Sequence, residues 1–174
     1  MTIMDYRPGI LVVYTSMSGN TEALAHAIAK GAAGSGNGNV NVTVKRAIDV
    51  ERRDIDGASA LAFGSPTYYS YMSGEMKTLF DRALPYRDVF QDKPAIAFAT
   101  GEGGQLKCIQ SIEEILEFFS VYFVQRSDIL SAGLAVQGRP DDSALVQAKA
   151  AGRKLGDAGV EFVCARRGKD IITG

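Results

Sequence analysis

The strongest constraint on this chain is the order in which its apolar residues change period. Residues 10–14, Ile-Leu-Val-Val-Tyr, form a short, continuous, largely β-branched run, the pattern of a strand covered on both faces. A polar loop follows, and then residues 22–33 place Leu24, Ala25, Ile28 and Ala29 at helical spacing, with Glu22 in the first turn. The glycine- and asparagine-rich residues 34–39 turn the chain, and Val40, Val42 and Val44 alternate as a second strand. The unit then recurs. Residues 58–63 read as a third strand, 64–73 as a loop, and 74–84 as a helix with Met76, Leu79, Phe80 and Ala83 on one face, ended by Pro85. Residues 94–100 read as a fourth strand, and 106–122 as a helix with Ile109, Ile112, Ile115, Leu116 and Phe119 inward. A fifth strand is expected over 129–136, and a last helix, capped by Asp141 or Asp142, is expected to run to residue 155 before Gly156. The charged stretch 166–170 reads as a frayed end. Strands alternating with helices at this interval make an α/β domain with an open parallel sheet and helices on both faces. The 174 residues fit one such domain, 1–174, with an ordered core over about 10–165.

Composition removes several classes of function. Nineteen Lys and Arg against twenty Asp and Glu leave a net charge of −1, so neither a polyanion-binding surface nor an acidic tail is present, and nucleic acid is not expected as a partner. The apolar runs are far shorter than the roughly 18 residues that span a bilayer, and no secretory pattern opens the chain, so a cytoplasmic protein without a membrane partner is expected. The two cysteines, Cys108 and Cys164, lack the paired spacing of a zinc or dithiol site and read as reduced thiols. No metal is expected. His26 reads as a helix-face residue.

In a sheet of this kind ligands sit beyond the carboxyl ends of the strands, where strand order reverses. Three loops lie there. Residues 15–21 (Thr-Ser-Met-Ser-Gly-Asn-Thr) offer four hydroxyls, an amide and a glycine directly before a helix, which suits an anion held at a helix N-terminus by neutral donors, because the loop has no Lys or Arg. A nucleoside triphosphatase loop would need a lysine here, and a dinucleotide fingerprint would need three spaced glycines and an acidic residue after strand two, where the chain has Lys45-Arg46. A polar cap that binds nothing is the plainer alternative. Residues 64–74 concentrate Tyr68, Tyr69 and Tyr71, which could stack on a planar ring or pack a subunit interface or the next helix. Residues 100–104 carry three glycines, which let backbone approach a flat ligand or simply make a flexible turn. A phosphate at one end and a ring at the other describe a mononucleotide.

At these residues the sequence resembles the flavodoxin-like family of FMN proteins. Residues 15–22 resemble the family's phosphate loop, in which a Ser or Thr pair precedes Gly-Asn-Thr, while Gly64-Ser65-Pro66-Thr67-Tyr68-Tyr69, the Met72-to-Lys77 segment and Met17 are closer to its quinone-reductase branch. The resemblance covers about 10–155 and implies a doubly wound sheet of five strands. It further implies that Ser16, Met17, Ser18, Gly19, Asn20 and Thr21 cradle the FMN phosphate. Pro66, Thr67, Tyr68, Tyr69, Ser70 and Tyr71 would flank one side of the isoalloxazine, with Thr100, Gly101, Glu102, Gly103 and Gly104 on another. Tyr68 or Tyr69 is the expected ring neighbour, and Glu102 would lower the reduction potential by opposing negative charge on the reduced flavin.

Three functions are compatible with that cofactor chemistry. The first is an electron-transfer protein, with FMN carrying the chemistry, no catalytic residue, and a redox partner protein. The second is a reductase that takes hydride from NADPH or NADH and passes it to a small quinone or a flavin. The third is a scaffold of the same fold without flavin. The exposed aromatic loop is also compatible with a homodimer.

Overall fold

The computed structural model describes residues 7–124 and 134–173, and side chains as far as 168. Its strands are β1 (Gly9–Tyr14), β2 (Asn41–Arg46), β3 (Ala60–Pro66), β4 (Pro94–Gly101), β5 (Tyr122–Phe123) and β6 (Ala135–Gln137). The helices are α1 (Asn20–Ala32), α2 (Arg52–Asp56), α3 (Gly74–Ala83), α4 (Gln105–Phe118) and α5 (Asp142–Thr173). All strand pairs of the sheet are parallel, in the order β2-β1-β3-β4-β5, with β6 also on β4. The order reverses between β1 and β3, so the chain winds outward from that point in both directions.

The strands at the centre are apolar on both faces because both are covered. Phe63 of β3 points to Phe80 of α3, ring centroids 5.2 Å apart, and this pair continues through Phe90 and Phe119 as one aromatic cluster. The neighbouring positions point the other way: a Cβ on Gly159 of α5 would lie 2.7 Å from Ile10 Cδ1 and 3.0 Å from Ala60 Cβ. On that second face α1 and α5 pack against each other.

Three expectations are corrected, and a fourth lies mostly outside the described residues. The expected fifth strand, 129–136, lies outside the described residues over 129–133, and its described end meets β6 at Ala135 and Val136. What is described is an edge position filled in two pieces, β5 opposite Pro94 and Ala95 and β6 opposite Ala99 to Gly101. The chain advances from Phe123 to Ala135 while β4 advances only from Ala95 to Ala99, so extra residues interrupt this edge. The last helix does not stop at 155, and 166–168 are not a frayed end, since α5 continues to Thr173. Gly156 does not end the helix: a Cβ there would meet Ser35 Oγ at 2.3 Å, so the glycine serves close packing inside it. Gly64 and Ser65 belong to β3 rather than to a loop, and the fourth helix spans Gln105–Phe118 rather than 106–122. A short helix, α2, was not anticipated. Its reciprocal cap, Glu51 with Asp54, and the 2.8 Å pair of Lys45 with Asp54 hold it beside β2. That pair keeps the Asp54 carboxyl below its ordinary range despite the opposing effect of burial, and it occupies Lys45 at the end of the second strand. Asp141 caps α5, its Oδ1 accepting from Ala144 N at 2.8 Å.

Candidate functional site

The ends of β1, β3 and β4 bring the three loops to one edge. Beneath them the structure ties the first two loops together with buried hydroxyls. Thr15 Oγ1 lies 2.8 Å from Ser73 Oγ, Ser65 Oγ accepts from Ser73 N at 2.8 Å and donates to Pro66 O at 2.7 Å, and Ser73 Oγ caps α3 by accepting from Met76 N. The sequence alone does not mark Ser65 and Ser73 as site residues. A hydroxyl in a strand end or helix start carries no pattern until the fold sets it beside another.

The first loop is built to leave donors open. Ser16 Oγ accepts from Gly19 N at 3.0 Å, and Gly19 takes the left-handed conformation at φ 88° as the residue before α1. No side chain caps this helix, so the first-turn amides from Asn20 to Glu22 have no intrahelical partner. The single carboxylate of that turn, Glu22, accepts from Tyr14 Oη at 2.8 Å and lies 3.9 Å from His26 Nε2 on the exposed helix face. Burial first, and then Glu22, push the Tyr14 phenol above its ordinary range, so it remains a donor. Met17 and Ser18 stand on the rim, exposed, and Asn20 is half-buried. Thr21 is buried, with Oγ1 2.8 Å from Thr100 Oγ1. One proton serves that contact, which leaves the second hydroxyl of the pair a proton for another acceptor. The loop thus meets the third loop directly, through two residues both selected from the sequence.

The second loop is a two-residue hairpin turn. Tyr68 and Tyr71 exchange both main-chain hydrogen bonds at 3.0 Å, and the central residues, Tyr69 and Ser70, have φ of 53° and 60°. Such turns favour Asn-Gly, because a side chain at positive φ costs roughly 1 kcal/mol per residue. The strain lifts the Tyr69 ring clear of the protein, at full exposure, with Tyr68 and Tyr71 partly exposed beside it. Tyr69 therefore covers neither the sheet nor α3.

The third loop lies against the second. A Cβ on Gly101 would come within 2.8 Å of Thr67 Cβ, and one on Gly104 within 2.4 Å of Ser70 Oγ, so these glycines are required by contact rather than by flexibility. Gly103 faces open space and Glu102 is exposed. Gly104, at φ 76°, starts α4 as Gly19 starts α1, again with no side-chain cap. Gln105 Nε2 binds Gly101 O, Gly138 N donates to Gly101 O at 2.9 Å, and Gln137 Nε2 donates to Glu102 O at 3.3 Å, so β6 braces this loop. Among the described residues Thr67 Oγ1 is buried without a nitrogen or oxygen partner. Cys108, below the loops, is a buried thiol pushed up to about 11 by burial, and so is not a nucleophile near neutral pH.

Two open helix starts, neutral hydroxyl donors and a projecting aromatic ring fit a mononucleotide with an anionic phosphate and a flat ring. The flavodoxin family model matches residues 12–170. The chain belongs to the flavodoxin family. It is 30% identical over 166 residues to a flavodoxin of Aquifex aeolicus, covering 88% of this chain and 86% of that protein. A flavodoxin from the domain Archaea superposes with a TM-score of 0.77 at 28% identity, over 87% of this chain and 99% of that one. A flavodoxin, WrbA-like protein from Agrobacterium tumefaciens gives 0.69 at 21% identity, over 89% and 99%, and shows the shared fold. As a flavodoxin the chain binds FMN and transfers electrons through it. The strand order and the switch point between β1 and β3 are the flavodoxin arrangement itself. Among the described residues no helix is long and apolar enough to cross a membrane, and no group of three His, Cys, Asp or Glu could hold a metal ion.

Proposed function

We propose that this flavodoxin is a carrier that exchanges electrons with partner proteins in the cytoplasm, and that the three loops hold its FMN. The uncapped, left-handed-glycine start of α1 beside the strained tyrosine hairpin carries the reading. The amides of Asn20 and Thr21, with the hydroxyls of Ser16, Ser18 and the Thr21–Thr100 pair, receive the phosphate. The hairpin places Tyr69 against one face of the flat ring, and residues 101–104 approach its polar edge with main-chain groups. Bound FMN supplies the redox chemistry, so the protein's work is to bind it, orient it and set its surroundings. The only carboxylate in the second and third loops is Glu102, which is exposed, so these loops hold no buried carboxylate positioned for proton transfer. Exposed Met17, Tyr69 and Leu106 surround the edge as an apolar rim on which a redox partner can settle. The free thiols Cys108 and Cys164 suit a reducing compartment.

The deciding experiment mixes the FMN-loaded protein anaerobically with NADPH or NADH and follows the oxidised flavin band. No bleaching by either nucleotide is expected, together with full bleaching by dithionite. Rapid bleaching by NADPH or NADH would make the chain a reductase and end the carrier reading. For the ring contact, Tyr69→Gly is expected to weaken FMN about tenfold, the worth of one aromatic contact. The unfolding free energy of the apoprotein should stay within about 0.5 kcal/mol of wild type, because the ring packs on nothing and glycine relieves the turn. Unchanged FMN affinity in this variant would remove Tyr69 from the site.

A further inference from the structure

At the opposite end of the sheet, where β3 and β4 begin, a cavity of about 250 Å³ opens beneath the C-terminal part of α5. Among the described residues its charged lining is Lys93, Arg166 and Arg167 with the carboxylate of Asp56, in a chain whose overall charge is −1. Lys93 is 4% exposed, yet among the described residues the hydrogen bonds of its ammonium go to main-chain carbonyls and none to a carboxylate. Nζ donates to Ile55 O at 2.5 Å and Asp56 O at 3.0 Å, which uses two of its three N–H groups. Buried lysines are ordinarily paired with an anion. Arg166 is held in place by Phe162, its guanidinium carbon 4.7 Å from the ring centroid. Burial brings the Lys93 ammonium down to about 8, with Arg166 acting in the same direction and Asp56 opposing.

The geometry points to a second binding site here, for a phosphate dianion, either free or as the head group of a small phosphomonoester. A planar guanidinium on α5 and a buried ammonium from the chain before β4 converge on one cavity, which is the donor set that phosphate recognition uses. The site is distinct from the flavin phosphate loop. Lys93 precedes β4, whereas Thr100 lies near its far end, more than 20 Å away at about 3.3 Å per residue.

The test is calorimetric titration of the FMN-loaded protein with inorganic phosphate and, separately, with glycerol phosphate, against sodium chloride at equal ionic strength. FMN occupies its own site throughout, and the flavin absorbance verifies that it stays there. Saturable binding is expected with a dissociation constant of roughly 1 mM. Tighter binding of glycerol phosphate would assign the cavity to esters, and equal or weaker binding to the free ion. The exposed pair Arg166→Gln/Arg167→Gln should weaken phosphate at least tenfold and leave FMN affinity unchanged. Absence of saturable heat beyond the chloride control, or wild-type phosphate binding by the double variant, would overturn the assignment. Lys93→Met adds a second reading, but its loss of two bonds to α2 could unfold the chain, so the arginine pair decides.

Discussion

Asn20→Asp is expected to weaken FMN by roughly 100-fold while leaving riboflavin affinity unchanged. Asn20 opens α1 directly after the left-handed Gly19, and its loop holds no Lys or Arg. A phosphate bound there depends on main-chain amides, hydroxyls and the positive end of the helix. The substitution keeps the side-chain shape and adds one negative charge at the same helix end. Two unit charges about 5 Å apart at an effective dielectric near 20 repel by roughly 3 kcal/mol, which is about a factor of 100. Screening reduces this and the second phosphate charge raises it. In the apoprotein the sign reverses: a carboxylate in the first turn of α1 stabilises the helix by about 0.5 kcal/mol. The expected signature is thus a slightly higher apoprotein melting temperature beside a much weaker FMN titration. Riboflavin, the same ring without phosphate, is the internal control. Equal losses for FMN and riboflavin would mean that Asn20 supports the ring or the fold, and no loss for either would place the phosphate elsewhere.

The parts of this site that could be read from sequence are those written in consecutive residues. The phosphate loop shows itself because a hydroxyl-rich, glycine-containing stretch stands between a β-branched run and a helical one, and the change from a continuous apolar run to a 3.6-residue period fixes its place in the fold. The tyrosine loop is visible as a composition, but its geometry is not: Tyr69 and Ser70 occupy positions where Asn-Gly would signal a two-residue turn, so the strain that projects Tyr69 has no local mark. Thr15, Ser65 and Ser73 come from three separate segments and meet only when β1 and β3 lie side by side. The edge position is the hardest to read, because its two described strands carry too few residues for a period to show and extra chain separates them. Glycine was the most misleading letter. At 34–38 it turns the chain, at 101 and 104 it admits a neighbouring loop, and in α5 it lies inside an unbroken helix. Only the spacing in α5 distinguishes the last case, since Ala148, Gly152 and Gly156 recur every four residues and so line one face.

That face makes the largest stability prediction. A Cβ on Gly152 would stand 1.9 Å from Ile28 O of α1, and a Cβ on Gly31 of α1 would stand 1.8 Å from Lys149 O of α5. The obstacles are main-chain carbonyls within regular helices, so no side-chain rotation makes room, and the two helices must separate. Separation opens the packing around Leu24, Ile28 and Leu155, all fully buried. Ordinary gain from Gly→Ala inside a helix is about 1 kcal/mol, and overpacking a close contact costs about 1–3 kcal/mol, more where backbone must move. Gly152→Ala is therefore expected to destabilise the apoprotein by about 3 kcal/mol, a fall of roughly 10 °C in melting temperature for a chain of this size. FMN binding by the folded fraction should persist, because the crossing lies away from the three loops. The double variant Gly31→Ala/Gly152→Ala should cost clearly less than the two single losses added, since helices already separated by one methyl group have room for the second. Strict additivity in denaturant unfolding would show that the two glycines act independently, and a loss below about 1 kcal/mol for Gly152→Ala would mean that α1 and α5 are not in main-chain contact.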